Sequence, residues 1–95
     1  MRYPLFWVVV EGESMLPDLE VGQRYLASGW LTPRTGDAVV ADTKDGVVVK
    51  WFKRKKENQS ILFGSRSDSS VYVVEDSALK GVLLRYRFAK RVISQ

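Results

Sequence analysis

Two side chains in this 95-residue sequence have the types and the interval to do covalent chemistry together: Ser14 and, 36 residues later, Lys50. Ser14 lies in Glu11-Gly12-Glu13-Ser14-Met15-Leu16-Pro17, directly after an apolar run over residues 5–10. Gly12 lets the backbone turn sharply, and Pro17 fixes its own φ and lacks an N–H, so the run cannot continue as a strand. A nucleophile can sit at such a strand end, and so can a serine that only closes a surface turn. The sequence holds no histidine and no cysteine. Thiol catalysis, a Ser-His-Asp triad, disulfides and the usual zinc ligands are thereby excluded, and any base for Ser14 must be a lysine or a carboxylate.

Lys50 lies within Val47-Val48-Val49-Lys50-Trp51-Phe52. The strand period of two places Val48, Lys50 and Phe52 on one face and Val47, Val49 and Trp51 on the other. On a half-solvated face a lysine needs no explanation. On a buried face desolvation disfavours the ammonium and lowers its pKa, which yields a neutral amine able to accept a proton. Lowering it by three units would cost about 4 kcal/mol, a large share of a small domain's stability.

These two residues need a scaffold, and the rest of the chain reads as short strands. Hydrophobic residues make up 45% and charged residues 27%, the balance of a soluble globular protein of one domain spanning residues 1–95. Residues 5–10 are rich in β-branched and aromatic types and predict a first strand buried on both faces. Residues 15–19 read as a turn, residues 23–27 as a second strand, and residues 38–42 as a third. Lys44-Asp45-Gly46 predicts a hairpin in which Asp-Gly supplies positive φ. The returning strand covers residues 47–53, followed by a charged turn at Lys56-Glu57-Asn58. Residues 61–63, 71–74 and 80–88 complete about seven strands, with no long amphipathic helix. The fold expected is all-β, a small barrel-like or sandwich arrangement.

The sequence resembles the Ser/Lys peptidase superfamily that contains the LexA-type repressors and the type I signal peptidases. Gly12-Glu13-Ser14-Met15-Leu16-Pro17 is similar to its Gly-x-Ser-Met-x-Pro nucleophile box. Gly36-Asp37-Ala38-Val39-Val40-Ala41 is similar to the strand start that follows, and Val48-Val49-Lys50-Trp51-Phe52 to the box that carries the general base. Lys80-Gly81-Val82-Leu83 resembles the closing strand of the LexA-like branch. The resemblance implies a LexA/signal-peptidase-like fold and a serine endopeptidase with Ser14 as nucleophile, Lys50 as base and no cofactor or metal. Gly12, Glu13 and Met15 would serve the substrate and the oxyanion, with the Ser14 N–H as first donor. Met15 would either pack beneath the turn or line the cleft. An extended peptide or protein substrate would add as a strand beside residues 5–10.

Some positions depart from the pattern. Trp51 stands where arginine is common, Gly22-Gln23 replaces a frequent Gly-Asp, and Gly12 occupies the place of a serine that helps bind the oxyanion in some signal peptidases. Residues 64–70 lack the usual Asn-Pro and contain Ser67-Asp68-Ser69. The chain therefore fits neither branch alone. Only 13 residues precede Ser14, so the expectation is a peptidase acting in trans or the catalytic piece of a longer protein.

Two other classes remain open at this level. The net charge is +4, and Lys50, Lys53, Arg54, Lys55 and Lys56 cluster around Trp51 and Phe52, a pattern that would suit a nucleic-acid-binding β domain. The bland reading of that cluster, a solvated hairpin end, is favoured. Alternatively the domain is a non-catalytic dimerisation unit, with residues 82–88 offering an edge for a homodimer. The longest apolar run is six residues, against the about 20 of a membrane-spanning helix. A cytoplasmic protein without a membrane span is expected.

Overall fold

The computed structural model describes residues 4–66 and 71–87. Seven strands form one antiparallel sheet: β1 (Phe6–Val9), β2 (Arg24–Ser28), β3 (Asp37–Thr43), β4 (Gly46–Lys56), β5 (Gln59–Phe63), β6 (Tyr72–Glu75) and β7 (Leu79–Arg87). Their order across the sheet is β1-β2-β7-β3-β4-β5-β6. The terminal strands β1 and β6 do not pair, so the sheet is sandwich-like and not a closed barrel. The all-β expectation holds.

The side-chain alternation of β4 divides two cores. Val49 and Trp51 point into the first, with Val10, Met15, Leu19, Tyr25, Ala38, Val40 and Leu83. Phe52 points into the second, with Val39, Ala41, Leu62, Val74, Leu79 and Val82, and Val48 packs at its margin. Truncating Leu62, which is completely buried, to alanine would cost about 2–5 kcal/mol through lost transfer energy and the cavity left behind. The β3–β4 hairpin pairs Thr43 with Gly46, and Thr43 Oγ1 donates to the Gly46 carbonyl at 2.8 Å while accepting from the Asp45 N–H at 3.1 Å.

Three expectations need correction. Residues 5–10 are not buried on both faces: Leu5, Trp7 and Val9 are exposed, while Phe6 and Val8 pack on the first core and Val10 is buried in it. β1 is an edge strand, and the Arg24 guanidinium, 5.2 Å from the Trp7 ring centroid, covers that ring from the neighbouring strand. At the hairpin, Gly46 alone takes positive φ, at 99°, so Lys44 and Asp45 turn in the ordinary region and glycine closes the loop. Finally, β7 lies between β2 and β3, paired with both through Val82. At Val82 the strand is therefore paired on both sides and offers no edge for a homodimer, and Phe88 lies outside the described residues.

The strand boundaries move modestly. β4 runs on to Lys56, leaving Glu57 and Asn58 as the turn, with Glu57 at φ 57°. The helical content among the described residues is one short 3-10 turn, Asp76–Ala78. Among the described residues no helix is long and apolar enough to cross a membrane.

Candidate active site

Ser14 sits in the turn that follows β1, and local hydrogen bonds define that turn. The Leu16 N–H donates to the Glu13 carbonyl at 3.1 Å, and the Leu19 N–H to the Met15 carbonyl at 2.9 Å. Met15 and Leu19 are buried beneath, in the first core, so the turn is pinned to the sheet by carbon. Gly12 takes φ 78°, a conformation a residue with a Cβ adopts at a cost.

A second set of bonds holds the turn from above. The Ser65 N–H donates to the Ser14 carbonyl at 2.7 Å, and the Arg66 N–H to the same oxygen at 3.3 Å. The Ser65 hydroxyl in turn accepts from Trp51 Nε1 at 2.6 Å and donates to Asp18 Oδ2 at 2.5 Å. Trp51 is only 1% exposed, so its indole N–H requires a partner, and Ser65 supplies one. The tryptophan at the position where arginine is common thus ties β4 to the nucleophile turn by a neutral hydrogen bond.

Lys50 comes from the middle of β4, opposite Val39 of β3. Its Nζ donates to Ser14 Oγ at 2.5 Å, and the residue is 6% exposed. Burial pushes its pKa down from the ordinary lysine value, because desolvation penalises the ammonium and not the neutral amine. The Tyr72 ring centroid lies 5.4 Å from Nζ. That ring is anchored by its hydroxyl, which donates to Asp45 Oδ2 at 3.0 Å, and this bond and its burial raise the phenol's pKa. Tyr72 on β6 thus lies beside the lysine, and Asp45 on the β3–β4 hairpin holds the Tyr72 hydroxyl.

The two residues open on a cavity of about 400 Å³ lined by residues 8–11, Ser14 and residues 47–50. Its walls are largely valine. It runs beside β1, where a peptide strand was expected. Gly12, Glu13 and Met15 do not line it. Of the two places expected for Met15, the structure takes the one beneath the turn. Glu13 is exposed, with the Arg66 guanidinium 4.0 Å away. Among the described residues no group of three or more Asp or Glu could hold a metal ion.

Residues 2–75 match the family described as Peptidase S24-like. The chain belongs to the Peptidase S24-like family. No curated protein and no solved structure matches it. Family membership bears out the resemblance to the LexA-like Ser/Lys peptidases and supports a serine peptidase at the level of the family.

Sequence reasoning brought Ser14 and Lys50 together but missed Ser65, Asp18, Tyr72 and Asp45. Ser65 and Tyr72 carry no local signal and reach the site through the loop after β5 and the pairing of β5 with β6, whereas Asp18 lies in the nucleophile turn itself and Asp45 on the hairpin before β4. The nucleic-acid pattern loses its rings, since Trp51 and Phe52 are both buried, one in each core.

Proposed function

We propose that this Peptidase S24-like domain is a serine endopeptidase that hydrolyses peptide bonds with a Ser14/Lys50 dyad. The observation that supports this reading best is the 2.5 Å separation of Lys50 Nζ and Ser14 Oγ, with the amine buried. Such a distance serves a proton moving either way, and burial lowers the amine's pKa and so favours the neutral form that must accept it.

In the first half-reaction the Lys50 lone pair takes the Ser14 Oγ proton as Oγ bonds to the peptide carbonyl carbon. The carbonyl π electrons move to oxygen, and the Ser14 backbone N–H would be the first donor to meet that charge. Collapse of the tetrahedral species expels the amine, which takes the proton from Nζ and leaves an acyl ester on Ser14. Water then attacks the ester, Lys50 accepts one of its protons and passes it to Oγ as the C–Oγ bond breaks, and the carboxylic acid product leaves and ionises in solvent. The hydrogen bonds from Ser65 and Arg66 to the Ser14 carbonyl fix the turn during both steps.

The substrate reading follows from the cleft. A valine-lined channel beside β1, the outermost of the described strands, suits an extended chain that pairs with β1 and presents small apolar side chains inward. The test is incubation of the whole chain with a mixture of unstructured peptides, with cleavage read by mass spectrometry. Wild type is expected to cut, and Ser14→Ala and Lys50→Met to be inactive while keeping the wild-type circular dichroism spectrum. Cleavage undiminished in either variant would remove the dyad, and no cleavage by wild type across the mixture would favour a non-catalytic domain.

A further inference from the structure

A second cavity, of about 600 Å³, shares no lining residue with the cleft at Ser14 and is the larger of the two. Its floor is carbon, provided by Phe52 and Leu79 of the second core. Trp30, 74% exposed, forms part of the wall. Arg34, Arg54 and Lys55 also line it. Lys55 has an internal partner, Asp76, whose Oδ2 lies 3.0 Å from Nζ and whose Oδ1 accepts from the Ser60 hydroxyl at 2.9 Å. Arg34 and Arg54 have no ion-pair partner among the described residues. One carboxylate thus stands against three cations around an apolar pit.

We propose that this cavity docks an acidic peptide segment that presents an aromatic or aliphatic side chain between carboxylates. The apolar side chain would fill the pit over Phe52 and Leu79, and the flanking carboxylates would take the guanidinium forks of Arg34 and Arg54, whose planar geometry matches them. An exposed tryptophan beside arginines is also the combination that carries binding energy at protein interfaces. A single-stranded nucleic acid fits less well. It needs a succession of stacking rings along a basic groove, whereas Trp51 and Phe52 are buried and Trp30 is the ring exposed here. The site is independent of the Ser14 chemistry and holds for a catalytic and a non-catalytic domain alike.

The experiment is a fluorescence anisotropy titration of the whole chain with a labelled Asp/Glu peptide carrying one central Phe, at low salt. Wild type is expected to bind saturably. Trp30→Ala and the double variant Arg34→Ala/Arg54→Ala should each lose about tenfold or more in affinity, as truncated anchors do, and Trp30→Phe should retain most of it. Asp76→Asn, which removes the cavity's own carboxylate but keeps an acceptor for Ser60, should bind more tightly than wild type. Glu20→Gln, an equal charge change at a residue that does not line the cavity, should change little. Thermal melts of every variant verify folding. The proposal is overturned if wild type does not bind, if the folded arginine double variant binds as wild type does, if Asp76→Asn and Glu20→Gln gain equally, or if a single-stranded oligonucleotide of the same charge binds more tightly than the peptide.

Discussion

Trp51 holds one end of a hydrogen-bond chain whose other end is the nucleophile turn. Its Nε1 meets Ser65, and Ser65 meets both Asp18 and the Ser14 carbonyl. Ser65→Ala removes the acceptor of a buried indole N–H, and leaving such a donor unmet costs about 1–3 kcal/mol. The expected outcome is a lower urea midpoint together with a lower kcat at nearly unchanged KM, because the turn loses its tether while the valine walls of the cleft stay in place. Trp51→Phe keeps the ring in the core and should show the same kcat loss with a smaller loss of stability. A kcat equal to wild type in both variants would mean that the network only stabilises the fold. Glu13 belongs to the opposite category: its ion pair with Arg66 is long and exposed, and pairs of that kind contribute little, so Glu13→Gln should leave the urea midpoint unchanged.

Between strands, the close approach of β1 to β7 depends on a glycine. A Cβ at Gly81 would lie 2.8 Å from the Phe6 ring and 2.9 Å from the Ser28 carbonyl oxygen. The ring could swing aside, but the carbonyl is backbone and part of the β2–β7 ladder. Gly81→Ala should therefore destabilise the protein by about 1–3 kcal/mol, the usual result of overpacking. A melting temperature at or above wild type would show that β1 is held elsewhere. The sequence made parts of this arrangement legible and hid others. The hairpin at Lys44-Asp45-Gly46 and the alternation of β4 were readable because each is fixed by neighbours in the chain: a glycine at the turn, and the pleat that separates Trp51 from Lys50. The exposure of Trp7 and Val9 was not. β-branched and aromatic residues in a row carry the same local signal at a sheet edge as at its centre, and only the strand order decides which it is. That order also puts β7 in the interior, which no pattern within residues 80–88 announces, and it brings Ser65 and Tyr72 to the dyad from strands or loops remote in sequence.

The buried lysine carries its cost through the whole molecule as a dependence of stability on pH. Folding lowers the Lys50 pKa from the ordinary 10.5, so between the lowered value and 10.5 the unfolded chain binds more protons than the folded one. Stability contributed by this group therefore rises with pH across that window and is at its lowest below it. Lys50→Met, which removes the titrating group and keeps an unbranched apolar stem, should melt at a higher temperature than wild type near neutral pH, and the difference should shrink as pH rises through the window. Parallel melting profiles at every pH would contradict this. The same shift predicts that kcat/KM climbs with pH along an acid limb, since only the neutral amine accepts the Ser14 proton. Lys50 is thus the point at which fold and chemistry meet: β4 is central enough to keep water away from the amine, and the turn after β1 delivers the hydroxyl to it.

The most direct measurement is an NMR titration of the Lys50 side-chain carbon resonance in the intact chain, assigned by its absence in Lys50→Met and compared with the exposed lysines. The predicted result is a midpoint below the ordinary 10.5, coinciding with the acid limb of kcat/KM. A midpoint at the ordinary value would mean that the amine stays charged beside Ser14 throughout the working range, and the Ser14/Lys50 dyad would have no base.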